Sequence, residues 1–564
     1  MRKRVPVGRQ ERVADSEGFG DQGGATRTVG ILAPMGGRGR LAGRILAGLA
    51  VVLGAAYILT LGRGSTYALD EWVFVVDRHS FSWDAVFSHH NSHPSIFPAL
   101  IYISVFRLVG LDHPEIFRVI VFMGHFFIAV TVALLVRRRH GEQLALLAGV
   151  LVLLSGSGAA NIVWGFQIGF CLSVGMYLAS YLLLMRGQDS GGNAAAIGAS
   201  ATLVVAALSS GVGVAAICAM CVAVAVSSSR RSLWWVPIPA ILSFAIWYLA
   251  FGDDSSQVTL ATVPAWMWNS ALASGAAFLG SAPVWGALII VPIAVFGFVQ
   301  AWRRRLSTPF LVHSSFLLAF WVSTGLGRSL FTDPGPSRYL HVASSSLVLL
   351  ICLMLPQRCS RATKPMVAAG LLVTASILVQ SPDFRQRMTE QQLKMRGGAH
   401  MRGSIAMVEL LEGKIKDDGA VVPFLGVPLV TVGEYLRAVH EVGDSPAYPW
   451  AMIPRAPEKV REGADFALNE LNTVAVSSRA AEGCTTETAR ISMITLHGGD
   501  EAIVRSAENM SIIVRRFRAD EWSVTTWRSL GGGTLAVQVP VDALDVPWQV
   551  HFRRPVDQLS CTDA

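Results

Sequence analysis

The chain has 564 residues, of which 52% are hydrophobic and only 15% are charged. An ordinary soluble domain carries about 25% charged residues. This composition therefore excludes a purely soluble enzyme, and the high apolar content excludes a disordered or collagen-like chain. Lys and Arg outnumber Asp and Glu by 47 to 39, which gives a formal net charge of +8. In a polytopic membrane protein such an excess is typical of cytoplasmic loops, so nucleic acid is not an expected partner.

The chain begins with a polar, Gly-rich and basic segment, 1–43, which lacks the apolar core of a signal peptide. We predict that this segment is a disordered cytoplasmic tail and that a retained transmembrane helix follows it. A helix that crosses the bilayer needs about 20 mostly apolar residues. About eleven stretches meet this requirement: 44–62, 118–136, 143–160, 166–185, 194–209, 212–227, 232–251, 283–301, 309–327, 339–356 and 364–380.

Basic clusters indicate which loops between these spans face the cytoplasm. The clusters lie at 137–139, 186, 230–231, 303–305 and 358–364. All of them fall on the inner side if the N-terminus is inside and about eleven helices cross the cell membrane. Two further apolar stretches, 95–111 and 264–281, would disturb this pattern as full spans. We therefore interpret both as helices that lie on the outer face or dip into it.

Four domains follow from this topology. Residues 44–380 are predicted to form the polytopic α-helical transmembrane domain, which includes a long outer loop at 63–117. The hydropathy then falls, and helical spacing at 381–483 predicts an extracytoplasmic helical connector. Short apolar runs between glycine-rich turns predict an extracytoplasmic β-rich domain at 484–564, which ends in a small β-sandwich.

Four strands of the β-rich domain can be located in the sequence. They are Ala489–Leu496, Met510–Phe517, Thr534–Val539 and Trp548–Phe552. Cys484 and Cys561 flank these strands in a compartment where disulfides can form. We therefore predict that the two cysteines form a disulfide that closes the β-rich domain.

The outer loop at 63–117 carries the candidate chemistry. Asp70 and Glu71 follow the first span directly, at the membrane surface, where partial desolvation can raise the pKa of a carboxylate. Such a group is a candidate general base, although the pair could also simply cap a helix and lie in water. His89, His90 and His93, together with Asp70, could bind a divalent metal ion. Hydrogen bonding is the alternative role of these histidines, so no cofactor is predicted with certainty.

The motifs of this loop resemble those of the GT-C glycosyltransferases. That superfamily includes protein O-mannosyltransferases, lipid A aminoarabinose transferases and actinobacterial arabinofuranosyltransferases. Its loop pattern is Asp-Glu, then His/Lys-Pro-Pro-Leu, then an interfacial helix that ends in Phe/Leu-x-Gly, and a later Arg. The matching residues here are Asp70-Glu71, His93-Pro94-Ser95-Ile96, Phe106 to Gly110, and Arg118. Ser95 stands where the family has its second proline, and the resemblance covers about residues 44–380.

The resemblance implies a reaction. A sugar would pass from a polyprenyl-phosphate carrier to an acceptor hydroxyl outside the cytoplasmic membrane, on an envelope glycan, a lipid or a protein. Asp70 would take the acceptor proton, with Glu71 as a helper. The arginines available to hold the leaving phosphate are Arg118, Arg328 and Arg338. For Arg338 the alternative role is an interfacial anchor beside Tyr339.

Further substrate-binding residues are predicted around these groups. Trp164 and Gln167 lie at the outer end of a helix pair, where they could contact a sugar or belong to an aromatic belt. The other candidates are His90, Asn91, His93 and Tyr339. Two intramembrane histidines, His125 and His313, indicate either a proton path or hydrogen bonds between helices.

Two other functions remain open at this point. A lipid-linked sugar flippase or transporter would also be polytopic, but it should contain paired broken helices in corresponding halves. The break at Gly211 has no clear mate in the sequence. A non-catalytic envelope scaffold with a polymer-binding outer domain is the third alternative. The predicted partners of the preferred reaction are membrane lipid, a polyprenyl-phosphate-linked sugar and an envelope glycan acceptor.

Overall fold

The structure is a computed structural model of the chain. It describes residues 66–159, 161, 164–190, 193–227, 230–252, 260–330, 333, 335–356, 363–415, 420–423, 430–480, 482–517 and 527–561, with isolated positions between 48 and 60. Apart from those isolated positions, the predicted cytoplasmic tail and the predicted first span at 44–62 lie outside the described residues.

The first part of the described chain is helical. Its helices, in order, are α1 (Asp70–Asp77), α2 (Trp83–Phe87), α3 (Ile96–Val109), α4 (Glu115–His140), α5 (Glu142–Leu153), α6 (Ile168–Ser190), α7 (Asn193–Ala207), α8 (Val212–Ala225), α9 (Arg230–Leu233), α10 (Ile238–Phe251), α11 (Val263–Ala276), α12 (Ala287–Trp302), α13 (Thr308–Arg328) and α14 (Ser337–Met354). They are followed by α15 (Thr363–Leu410), α16 (Val432–Val442) and α17 (Glu458–Glu470).

Five helices of the described chain are long and apolar enough to cross a membrane. They are α4, Gly165–Asp189, Pro283–Trp302, α13 and α14. Shorter apolar helices of 10–17 residues include α5, α7, α8 and α10. The described residues thus support a helical multi-pass membrane protein, but the predicted number of eleven crossings is not confirmed.

The predicted span at 143–160 shows how a helix falls short of the expected length. Helix α5 ends at Leu153, and a single 3₁₀ turn follows at Gly156–Gly158. Serine and glycine favour turns over helix, and the stretch after Leu154 reads Ser-Gly-Ser-Gly. Apolar composition therefore continues beyond the point at which the backbone leaves the helix.

Helices α3 and α11 correspond to the two stretches that we interpret as surface helices. Each has 14 residues, which corresponds to a length of about 21 Å at 1.5 Å per residue. The hydrocarbon core of a bilayer is about 30 Å thick, so neither helix is long enough to cross it alone. Their lengths are compatible with a position at the outer face.

Contacts between helices in the bundle combine small residues with a few buried polar pairs. Gly124 of α4 faces Cys171 of α6, where an added methyl group would lie 2.9 Å from the cysteine Cβ. Tyr177 of α6 stacks on Phe316 of α13 at 4.3 Å between ring centroids, and its hydroxyl contacts His313 Nδ1 at 3.0 Å. His313 thus forms a hydrogen bond between two helices, which is one of the two roles considered for it.

The β-rich region forms one antiparallel sheet. Its seven strands are β1 (Ala475–Ser478), β2 (Cys484–Leu496), β3 (Glu501–Ser506), β4 (Met510–Arg515), β5 (Arg528–Leu530), β6 (Gly533–Gln538) and β7 (Trp548–Cys561). Their order is β1-β6-β3-β7-β4-β5, and β2 pairs with β7. All four predicted strands are present, but among the described residues they form one curled sheet and not the two sheets of a sandwich.

Strand β7 and helix α17 explain the difference. β7 has 14 residues and pairs with β2, β3 and β4, so it joins strands that could otherwise have separated into two sheets. Helix α17 then covers the β4 end of the sheet. The Asn469 side chain exchanges two 2.8 Å hydrogen bonds with the Val514 backbone. Cys484 pairs with Cys561 in the β2–β7 register, and a disulfide joins the two cysteines.

Candidate functional site

The turn before α1 places Asp70 as the first residue of that helix. Leu69, immediately before Asp70, adopts a positive φ of 51°, which is uncommon for a residue other than glycine. The turn is held by two side chains of the helix. Glu71 Oε2 accepts a 2.9 Å hydrogen bond from the Ala68 amide, and Trp72 Nε1 donates to the Tyr67 carbonyl at 3.0 Å. These local hydrogen bonds therefore fix the position of Asp70 at the start of α1.

Glu71 points away from Asp70 into a buried aromatic cluster. It is only 3% exposed, and Tyr102 of α3 donates a 3.2 Å hydrogen bond to its Oε1 atom. Burial raises the pKa of Glu71 to about 7, against the opposite effects of Arg118 and of its hydrogen bonds. A side chain at Gly165 would collide with this carboxylate, so the enclosure is tight.

Arg118 lies with Glu71 and not with Asp70. It is 3% exposed and donates to the Thr66 carbonyl at 3.4 Å. Among the charged groups that act on Glu71, Arg118 has the strongest effect, whereas the arginines that act on Asp70 are Arg338 and Arg328. The structure thus separates Arg118 from the other two arginines that the sequence groups with it.

Asp70 is influenced by the charges of two arginines, Arg338 and Arg328, that are distant from it in the chain. It is half-buried, and this burial raises its pKa while Arg338 and then Arg328 act in the opposite direction. The Arg338 guanidinium lies over the Tyr339 ring, 5.1 Å from its centroid. Arg328 Nη2 donates to the Asn91 carbonyl at 3.3 Å. Two arginines more than 250 residues away in the chain are therefore the charged groups that act on the Asp70 carboxylate.

The His-Pro segment forms a tight turn beside this group. His90 and His93 exchange backbone hydrogen bonds of 3.0 and 3.2 Å around Asn91 and Ser92, which both have positive φ values. Asparagine tolerates this left-handed conformation better than most residues. Burial, followed by neighbouring positive charges, lowers the pKa of His90 to about 3 and that of His93 to about 4. Both rings are therefore neutral at pH 7.

The histidines do not converge on a common point. The His90 ring packs against Phe74 and Phe166, at 5.4 and 5.0 Å between centroids. His89 Nδ1 contacts the Phe251 carbonyl at 3.2 Å. Among the described residues no group of three His, Cys, Asp or Glu side chains is arranged to hold a metal ion. The geometry does not fit the alternative in which these histidines and Asp70 bind a divalent metal.

Trp164 and Gln167 both lie next to the turn that carries Asp70. Trp164 Nε1 donates to the Ala68 carbonyl at 3.3 Å, so this tryptophan supports the turn itself. Gln167 is fully buried, and neither its amide oxygen nor its amide nitrogen has a hydrogen-bond partner among the described residues. A buried amide without partners is costly, which makes Gln167 a residue of interest in this site.

Helix α16 of the C-terminal region and the residues just after it pack against α1 and the outer loop. The sequence did not indicate this contact. Asp444 Oδ2, just after α16, accepts hydrogen bonds from the Leu111 and Asp112 amides at 2.6 and 3.0 Å. Tyr435 packs edge-on against Trp72 of α1 at 6.1 Å. No short-range pattern links residues more than 300 positions apart. The one local indication of a buried neighbour is Trp72, a large aromatic residue next to Glu71.

An apolar cavity of about 550 Å³ lies among α11, α12, α13 and α14. It is lined mainly by aliphatic and aromatic side chains, including Met267, Leu317 and Leu347. Trp266, next to Met267 in α11, packs against Tyr339 at 6.4 Å between ring centroids. Tyr339 also lies under Arg338, so this aromatic pair lies between the lining residue Met267 and the arginine that has the stronger effect on Asp70. The sequence analysis did not identify Trp266.

Comparisons with known proteins give one distant structural match. Neither a protein-family model nor a curated protein matches the chain. The crystal structure of ArnT from Cupriavidus metallidurans in the apo state matches with a TM-score of 0.45 and 15% sequence identity. The match covers 70% of this chain and 85% of the ArnT chain.

Proposed function

We propose that the chain is a GT-C-type membrane glycosyltransferase, which transfers a sugar from a polyprenyl-phosphate donor to an extracytoplasmic acceptor hydroxyl. The observation that supports this most is the electrostatic influence of Arg338 and Arg328 on the half-buried Asp70 carboxylate. A carboxylate beside two guanidinium groups suits a reaction in which a proton is removed while a phosphate leaves. The sequence motifs of the outer loop, which resemble those of GT-C enzymes, support the same proposal.

In the proposed step Asp70 is the general base. Its carboxylate takes the proton of the acceptor hydroxyl as the hydroxyl oxygen forms a bond to the anomeric carbon of the sugar. The bond between that carbon and the phosphate oxygen breaks, and its electron pair leaves with the polyprenyl phosphate. Arg338 and Arg328 stabilise the negative charge that develops on the leaving phosphate.

The apolar cavity offers a place for the carrier lipid. It lies one aromatic pair away from Arg338, through Trp266 and Tyr339. A polyprenyl chain placed there would extend its phosphate towards Arg338, because Met267 lines the cavity and the adjoining Trp266 packs against Tyr339, which lies under Arg338. The cavity volume of about 550 Å³ would accommodate only part of such a chain, so the rest would extend into the bilayer.

Glu71 takes a different role from the one that the sequence predicts. Its carboxylate is enclosed by Tyr102, Gly165 and the Ala68 amide and does not face the arginines of the site. We therefore assign Glu71 to positioning. It holds the turn that presents Asp70, and Arg118 compensates its charge.

The test is transfer of sugar from a lipid-linked donor by the purified full chain. Asp70→Asn should lower kcat by about 10²–10⁴, which is the usual contribution of general-base catalysis. Asp77→Asn is the matched control, because Asp77 is an exposed carboxylate at the other end of α1. Wild-type turnover by the Asp70→Asn variant would exclude Asp70 as the base and would favour the transporter or scaffold alternatives.

A further inference from the structure

Two adjacent cavities lie at the end of α4 that is remote from Asp70. Their volumes are about 380 and 250 Å³, and Arg138 lines both of them. Helix α4 begins at Glu115, next to the outer loop that carries Asp70, and at 1.5 Å per residue Arg138 lies about 35 Å further along its axis. This second location is therefore independent of the proposed transfer site.

The larger cavity is strongly basic. Its five lining residues are Leu134, Arg137, Arg138, Leu182 and Arg186. They come from the last turns of α4 and α6, so three guanidinium groups surround one opening with two leucines. Arg fits phosphate oxygens through its planar fork of donors, and the leucines provide an apolar surface beside that fork.

The acidic partners of these arginines are open to solvent. Arg137 pairs with Glu142 at 3.1 Å, and Arg138 pairs with Asp189. The side chains of Glu142 and Asp189 are 37% and 66% exposed. Exposed ion pairs contribute little to stability, so a phosphate can compete with these carboxylates for the arginines.

The smaller cavity extends between the helices and has polar groups on an otherwise apolar wall. His140, Tyr181 and His313 line it together with apolar residues of α13 and α14. His313 contacts the Tyr177 hydroxyl at 3.0 Å, and its ring packs edge-on against the Tyr181 ring at 5.3 Å between centroids. Buried polar side chains within an apolar cavity, next to a rim of arginines, suit a ligand with a polar head and hydrocarbon chains.

We propose that these two cavities bind the phosphodiester headgroup of an anionic phospholipid. Its phosphate lies among Arg137, Arg138 and Arg186, and its acyl chains lie along the leucine-lined walls. Basic pockets between transmembrane helices are known to recognise anionic lipid headgroups in this way. A free phosphate would use the arginines but would have no use for the apolar walls, and this difference is the reason for choosing a lipid.

The proposal can be tested by native mass spectrometry of the full chain in detergent. Phosphatidylglycerol should bind in preference to phosphatidylcholine, which has the same chains but no net negative charge. The double variant Arg138→Gln/Arg186→Gln should bind phosphatidylglycerol at least about ten-fold more weakly. The matched control is Arg303→Gln/Arg305→Gln, which removes the same charge from a basic cluster that lines neither cavity. That control should bind the lipid as the wild type does.

Several outcomes would overturn the proposal. Equal binding of the two phospholipids by the wild type, or an equal loss in the Arg303/Arg305 control, would show that no specific site exists. Displacement of phosphatidylglycerol by an equal concentration of inorganic phosphate would identify phosphate alone as the ligand. Preferential binding of polyprenyl phosphate, lost in the same double variant, would assign the cavities to the carrier lipid.

A second variant tests the proposal even if the glutamine double variant fails to fold. Arg138→Lys/Arg186→Lys keeps both positive charges and removes only the guanidinium forks. This second variant should show an intermediate loss of phosphatidylglycerol binding while its thermal melting stays at the wild-type value. Full retention of lipid preference by the lysine variant would contradict the role assigned to the arginine forks.

Discussion

The two faces of α1 carry neighbouring carboxylates in opposite environments. Asp70 is half-buried and is influenced by Arg338 and Arg328, whereas Glu71 is enclosed with Tyr102 and compensated by Arg118. Consecutive residues on a helix point about 100° apart, so an Asp-Glu pair in sequence is not a pair in space. The comparison shows that one carboxylate is partly open to solvent and that the other is enclosed and hydrogen-bonded to the turn before α1.

The largest effect is expected on stability, when the buried surroundings of Glu71 are changed. Arg118→Gln would leave the Glu71 carboxylate buried without its compensating charge, which typically costs about 3–5 kcal/mol of unfolding free energy. Because Glu71 has a pKa of about 7, it can escape this cost by taking up a proton at low pH. The loss in thermal stability should therefore be larger at pH 8 than at pH 5.5.

The sign of this pH dependence follows from linkage. The pKa of Glu71 is raised from its ordinary value of 4.5 to about 7 in the folded chain, so folding takes up a proton between these values. The stability contributed by this group falls as the pH rises through that window, and Arg118→Gln should extend the fall above pH 7. The double variant Glu71→Gln/Arg118→Gln should recover much of the stability at pH 8. A pH-independent loss in Arg118→Gln would contradict the pairing of these two residues.

An intermediate effect is expected on donor binding, when an arginine near Asp70 is changed. Arg338→Gln removes a charge-assisted contact to the donor phosphate, which is worth about 1.5–3 kcal/mol, or roughly a 10- to 100-fold change in affinity. The loss should therefore be seen as a higher KM for the lipid-linked donor, together with a lower kcat because the leaving phosphate gains negative charge in the transition state, and thermal melting should be unchanged. The KM of Arg338→Lys should lie between the KM of the wild type and that of Arg338→Gln. A variant with lower kcat and unchanged KM would place Arg338 outside donor binding.

The smallest effect is expected where the C-terminal region touches α1 from the outside. His79, two residues beyond α1, contacts Glu441 of α16 at 2.9 Å, and the Glu441 side chain is 46% exposed. Partly exposed pairs are worth about 0.2–1 kcal/mol. Glu441→Gln should lower the melting temperature only slightly and leave transfer unchanged. A large loss of activity would show that α16 controls the position of Asp70 and does not merely rest against α1.

The sequence predicted the parts of the site that depend on local pattern. The Asp70 candidate in the outer loop and the strands around Gly498-Gly499 follow from a few neighbouring residues, whereas the tight turn at His90 to His93 was not predicted. Arg338 and Arg328 could be proposed because arginine suits a phosphate. The separation of Arg118 from them could not, since burial and the direction of a side chain depend on the packing of α3 and α4.

Other features depended on contacts that no local pattern carries. The single curled sheet results from the pairing of β7 with three other strands, and its cover results from Asn469 reaching the backbone of β4. Composition alone does not distinguish such a sheet from a sandwich, because both need short strands with one apolar face. Likewise, the end of α5 at Leu153 depended on backbone preferences inside a stretch that is apolar throughout.

The hydrogen bonds of Asp444 have a consequence for the biosynthesis of the protein. This residue is separated by 333 positions from Leu111, whose amide it binds in the outer loop. At a typical translation rate of about 5–20 residues per second, the ribosome needs about 17–70 seconds to add that stretch. During this interval the loop that carries Asp70 is already made but still lacks its partner. For most of its synthesis the nascent chain therefore carries an outer loop whose Leu111 amide lacks its Asp444 partner. Quality-control proteases have this interval in which to recognise the unpaired loop.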